Sequence, residues 1–241
     1  KMAEQAYAEE IRKTYAYMAD QIQKEIDGFY AKYATKEGIS LAEAKRRVSK
    51  LDIEEYGRKA AKYVKEKDFS DQANEEMRLY NATMKINRLE LLKANIGLEM
   101  VSGFDELQKY FDKTLTQQTI EEFRRQAGIL GNSVQENGKM ARAIVDASFH
   151  NATYSDRIWM YQDMLKAELD KLLKTGLIQG KNPRELAVHL QKRFGASRED
   201  AERLMVTELA RVQTEAQKQS YIRNGFEEYT YVACGNADVC E

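Results

Sequence analysis

The chain has 241 residues, enough for one large domain or two small ones. Its net charge of −1 argues against a nucleic-acid binder working by bulk positive charge, although local basic patches remain open. No apolar run approaches the roughly 20 residues that a membrane span needs, and no secretory signal is visible.

A single proline and a 32% share of charged residues leave little to interrupt helices, so a soluble, helix-rich and elongated protein is expected. Two cysteines, Cys234 and Cys240, do not make a disulfide framework and point to a reduced, cytosolic origin.

Met2 to about Tyr33 reads as one long helix. Tyr7, Ile11, Tyr15, Met18, Ile22, Ile26, Phe29 and Tyr33 recur at spacings of four and three. This stripe packs on another helix of the same chain; a partner protein is the alternative. Gly38-Ile39-Ser40 breaks the pattern, and Ser40 with Glu43 forms a capping box for a second helix to about Lys67. Gly57 weakens that helix by about 1 kcal/mol relative to alanine. Asp68 to Asp71 is the next break. A third helix then runs to about Met100, with Leu79, Ala82, Ile86, Leu89, Ile96 and Met100 on its buried face. Ser102-Gly103 is expected to separate a fourth helix, Phe104 to Gln126, that buries Tyr110, Phe111, Leu115 and Phe123.

Gly128 to Gly138 is the richest loop signal in the chain, so a boundary is placed there. The expected organisation is a long-helix bundle over 1–127, a linker over 128–138 and a smaller module over 139–241. In that module, Lys139 to Phe149 reads as a short helix, with His150 near its end facing solvent or capping. Ser155 and Asp156 start the next helix, where Trp159 is a core anchor beside Ile158, Leu165 and Leu169. Asn182-Pro183-Arg184-Glu185 is a strong helix start: asparagine caps, proline fits the first turn and glutamate follows at the third position. That helix is expected to end at Phe194-Gly195, with His189 packed inside it.

The last helix is read from Ser197 to Gly225. Ala201, Met205, Glu208, Val212, Glu215, Gln219 and Ile222 share one face. A carboxylate in the middle of a packing face is costly, so Glu208 is expected to be ionised and held by an arginine or by backbone N–H groups of the tail. Arg211 is the local candidate and Arg157 the long-range one. Glu228 to Ala233 reads as a short strand. The fold class is therefore mainly α, with long helices followed by a smaller helical module and a short C-terminal β element.

Catalytic constellations are not legible. Cys234 and Cys240 are five residues apart, and structural zinc would need two further ligands. No base is placed beside either thiol. Glu208 and Glu215 lie about 10 Å apart along a helix, too far to share a proton. No glycine-rich loop carries the Lys-Ser/Thr pattern of a phosphate site. Arg46-Arg47 and Arg124-Arg125 read as solvated faces or ion-pair members before DNA contacts.

A helix with Thr207-Glu208, then Gly225, an aromatic-rich strand and Asp238-Val239-Cys240, resembles the C-terminal signature of phage minor head proteins, the Mu F-like head morphogenesis family. Tyr154-Ser155-Asp156-Arg157-Ile158-Trp159 and Gly176 to Pro183 are similar to two of its upstream segments, and Asn87-Arg88-Leu89 is a weaker match. The resemblance covers about Asn151 to Glu241 and rests on order and spacing more than on any one motif. It implies a second cysteine shortly after Cys240, so the module is expected to be truncated at Glu241. It further implies a non-enzymatic capsid protein, present in several copies per virion at the head interior or portal vertex, and in the host cytoplasm during assembly. The portal protein, other head proteins and packaged DNA are the implied partners, and the implied roles are assembly, DNA packaging and DNA delivery. Thr207, Glu208, Asp238 and Cys240 carry over as a structural motif, with no cofactor expected beyond a zinc option at Cys234 and Cys240. The alternatives are the scaffold region of a larger protein with a downstream toxin-like enzymatic domain, and a cytosolic helical adaptor.

Overall fold

The computed structural model describes residues 2–33, 50–67, 69–75, 88–130, 138–226 and 228. The fold is mainly α. In chain order the helices are α1 (Met2–Tyr33), α2 (Lys50–Lys67), α3 (Arg88–Leu130), α4 (Gly138–Val145), α5 (Tyr154–Ile178) and α6 (Pro183–Arg223). Residues 71–75 are helical as well. The break at Gly38 to Ser40, the face positions Leu79, Ala82 and Ile86, the pair Arg46-Arg47 and the strand expected from residue 228 to 233 lie outside the described residues, apart from Glu228 itself.

The helix α1 has the expected extent, and its stripe is buried at Ile11, Tyr15, Met18, Ile22, Ile26 and Phe29. Two expected breaks are absent. The first, Ser102-Gly103, lies inside α3, which runs for 43 residues, about 65 Å. The helix passes close to α1 here: a Cβ at Gly103 would stand 2.8 Å from Met18 Sδ, so the methionine would have to shift. The second, Phe194-Gly195 with Ser197, lies inside α6, a helix of 41 residues. Ser197 does not cap a helix. Its hydroxyl is 3.0 Å from the Tyr15 hydroxyl, and Tyr15 packs edge-on against both Phe104 and Phe194. Burial pushes the Tyr15 phenol far up, so it stays neutral and able to donate. A buried side-chain partner and continuous packing thus override the local stop signals.

The described residues group into two compact units that do not follow chain order: residues 1–113 with 148–208, and residues 114–147 with 209–241. The helices α3 and α6 each contribute to both. The first unit buries Phe104, Leu107, Phe111, Ile158 and Leu177. The second buries Leu115, Phe123, Val145, Val212 and Ala216. Within it, Arg223 lies over the Phe123 ring at 5.8 Å, and Arg125 pairs with the buried Glu122 at 2.6 Å. Gly128 to Leu130, expected in a linker, continue α3, and Gly138 opens α4; residues 131–137 lie outside the described set.

The helix α4 is shorter than expected and stops at Val145. His150 is therefore not helical. It sits in a two-residue turn closed by Phe149 and Ala152, which exchange backbone hydrogen bonds of 2.9 and 3.4 Å. His150 and Asn151 take φ of 49° and 62°, the left-handed pair of a type I′ turn. The cap of α5 is Thr153 in place of Ser155: its hydroxyl accepts from the Asp156 N–H, and the Asp156 carboxylate accepts from the Thr153 N–H at 2.8 Å. The start of α6 follows the sequence closely. Asn182 Oδ1 accepts from the Glu185 N–H at 3.1 Å, with Pro183 as the first helical residue. His189 is exposed, with Lys181 Nζ 3.5 Å from its ring nitrogen, and is not a packed core histidine.

Candidate functional site: the Arg157–Glu208 clamp

Glu208 lies on the inward face of α6, where Ala201, Leu204, Met205 and Leu209 are also buried. It has no exposed surface. Arg157, in the first turn of α5, donates from Nη1 to Glu208 Oε1 at 2.9 Å. The arginine is itself only 18% exposed, so water does little to screen the pair. Its second amino group donates to the carbonyl oxygen of Phe149, and its guanidinium lies 5.8 Å from the Phe149 ring centroid. One planar fork thus ties three pieces together: the start of α5, the middle of α6 and the turn that precedes α5.

Each piece has a local reason for its place. The Thr153–Asp156 capping box fixes where α5 begins, and therefore where Arg157 points. The planar guanidinium holds its donors at fixed spacing, so the Glu208 carboxylate and the Phe149 carbonyl are reached at once. Further along α5, Trp159 Nε1 donates to Gln108 Oε1 of α3, and Tyr154 donates to Asp112 at 2.9 Å while stacking on Phe111. The segment from Tyr154 to Trp159 is therefore anchored on α3 by two polar contacts and on α6 by the ion pair.

Arg211, the local candidate partner, reaches the end of α4. Its guanidinium donates to the carbonyls of Ile144 and Val145 at 2.9 and 3.1 Å, capping the C-terminal end of α4. Thr207 is exposed, and its hydroxyl donates to the Arg203 carbonyl at 3.0 Å. Thr207 is thus adjacent to Glu208 in sequence but faces away from the clamp. Asp238, Cys234 and Cys240 lie outside the described residues. Among the described residues, no group of three or more histidine, cysteine or acidic side chains could hold a metal ion, and no helix is long and apolar enough to cross a membrane.

The expected inward face of the last helix is accurate only in its first half. Ala201, Met205, Glu208 and Val212 are buried, but Ile222 is 56% exposed and the buried positions move to Ala216 and Ser220. A straight helix drifts relative to a fixed set of alternating three- and four-residue steps, so a long stripe does not keep one bearing. Sequence reading missed the Phe149 carbonyl and the roles of Gln108 and Asp112. The only local signal for the turn was Asn151, a residue tolerant of positive φ.

Comparison with known proteins adds no assignment: no family model, no curated protein and no solved structure matches this chain.

Proposed function

We propose that this chain is a phage minor head protein of the Mu F-like morphogenesis type, acting by binding the portal and the inner head and not by catalysis. The observation that carries the reading is the clamp. Arg157, in the segment Tyr154 to Trp159, and Glu208, in the pair Thr207-Glu208, stand 51 positions apart and meet through a buried ion pair. These are two of the separate segments on which the resemblance rests. Their meeting gives a physical reason for them to occur in one chain in that order. Long helices are consistent with an assembly role, since they offer extended faces to large partners.

In this reading the portal protein is the principal partner, other head proteins and packaged DNA are further ones, and several copies act in each virion. Head assembly, DNA packaging and DNA ejection are the processes served, in the host cytoplasm first and the virion later. Glu208 holds the helices and is not a reacting group. Co-expression with the cognate portal protein tests the proposal: a complex that survives gel filtration is expected. Separate elution at micromolar concentration and moderate salt would reject it. In that event a helical adaptor, or the scaffold of a larger toxin-bearing protein, takes its place.

A further inference from the structure

We infer that α2 is a charge-latched cover over an apolar seam between α1 and α3, built to lift away from them as a unit when ionic strength rises. The inference is independent of any portal association.

The contrast with α1 motivates it. The helix α1 buries a continuous apolar stripe. Among the described side chains of α2, the buried apolar ones are Tyr56 and Ala60, while Val64 is 48% exposed. Among the described side chains, most of what holds α2 is charge. At its N-terminal end, the buried Asp52 pairs with Lys32 of α1. At its middle, Lys59 Nζ stands between Glu25 of α1, at 2.5 Å, and Glu99 of α3, at 2.9 Å. Tyr63 donates to the same Glu99 at 2.9 Å, and Glu99 is 4% exposed. At its C-terminal end, Lys67 reaches Ser102 at 2.7 Å and Glu106 at 3.2 Å. The two ends and the middle of the helix are thus each fastened to neighbours by an ion pair or a charge-assisted hydrogen bond.

The lysines make the fastening responsive. Lys32 is 49% exposed, Lys59 26% and Lys67 24%, so dissolved ions reach the cationic side of each pair. At molar ionic strength the Debye length falls to about 3 Å, so the pairs weaken from their exposed lysine side, less at the buried Asp52 and Glu99 than at the half-exposed Glu106. Apolar packing is not weakened by that screening, so α1 and α3 remain together. Beneath α2 lie Phe29 of α1 and Leu91 and Leu92 of α3, all buried. They line the same cleft of about 220 Å³ as Lys32, Asp52, Tyr56 and Lys59. Lifting α2 uncovers them together with the carboxylates of Glu25 and Glu99, a face that is apolar at its centre and acidic at its margin.

Hydrogen–deuterium exchange on the full chain, at low and at molar sodium chloride, tests the latch. Protection of α2 amides is expected to fall about tenfold with salt, while α1 and α3 change by less than about twofold. Exchange of α2 in step with α1 and α3, or indifferent to salt, would overturn the inference. Replacing the central pair by Lys59→Met with Glu99→Leu should leave α2 protected and reduce its salt response, with the pairs to Lys32 and Glu106 still in place. An undiminished response would count against the latch. Should that double variant not fold, Lys67→Met gives a second reading: protection of α2 should already be lower at low salt, and unchanged protection would again overturn the inference.

Discussion

Arg157 and Glu208 form an ion pair in which a carboxylate with no exposed surface on α6 meets a guanidinium that simultaneously grips the Phe149 carbonyl. Removing either partner leaves the other with a charge in a place water reaches poorly. Glu208→Ala should therefore cost about 3–5 kcal/mol, read as a fall in melting temperature. The double change Arg157→Met with Glu208→Leu should recover much of that loss, because apolar groups of similar size need no partner. Unchanged melting of Glu208→Ala would show that the carboxylate is hydrated and that the clamp does not organise the fold.

Arg211 makes a parallel prediction for the other unit. Its bonds to the Ile144 and Val145 carbonyls are charge-assisted, each of a kind that contributes about 1.5–3 kcal/mol. Arg211→Ala should raise amide exchange in α4 and leave the first turn of α5 unaffected. Equal loosening of both would mean that Arg211 acts on the whole chain and not on the end of α4.

Glycines divide into two classes by what surrounds them. Gly57 has nothing within 4 Å of a built Cβ, so Gly57→Ala should stabilise α2 by up to about 1 kcal/mol. At Gly176 the same atom would stand 2.5 Å from Leu186 Cδ2, a branched side chain that is fully buried. Gly176→Ala should destabilise by about 1–3 kcal/mol. Paired thermal melts of the two variants check this, and shifts of the same sign would contradict the packing between α5 and α6.

The cap of α5 is sensitive to acid. The Thr153 backbone N–H, and then its hydroxyl, donate to Asp156 and hold its carboxyl below the ordinary carboxylate range. A depressed pKa in the folded state contributes stability that is fully present above the unfolded value of about 3.9 and is lost as pH falls through the folded value. Amide protection in the first turn of α5 should therefore persist down to about pH 4 and decline below it. A titration of Asp156 by NMR with a midpoint at or above about 3.9 would contradict the capping geometry.

Sequence reading succeeded where a short-range rule had no competitor. The extent of α1, the Asn182–Glu185 cap and the need of Glu208 for an arginine all follow from neighbouring residues and from the cost of burying charge. It failed at Gly103, Gly195 and Ser197, where local stop signals are overridden by partners far along the chain. Met18 packs against the glycine at 103, and Tyr15 takes the hydroxyl that would have capped a helix at 197. The turn at His150-Asn151 was hidden for a different reason: periodicity carries no signal for a two-residue reversal without glycine.

The place proposed for this chain is the portal vertex or the inner surface of a phage head. Imaging of assembled heads made with and without it tests this most directly. Additional density is expected on the inner side of the portal vertex only in heads that contain the chain, repeated in several copies around the ring. Heads of identical density, with the chain recovered entirely in the unassembled fraction, would contradict it.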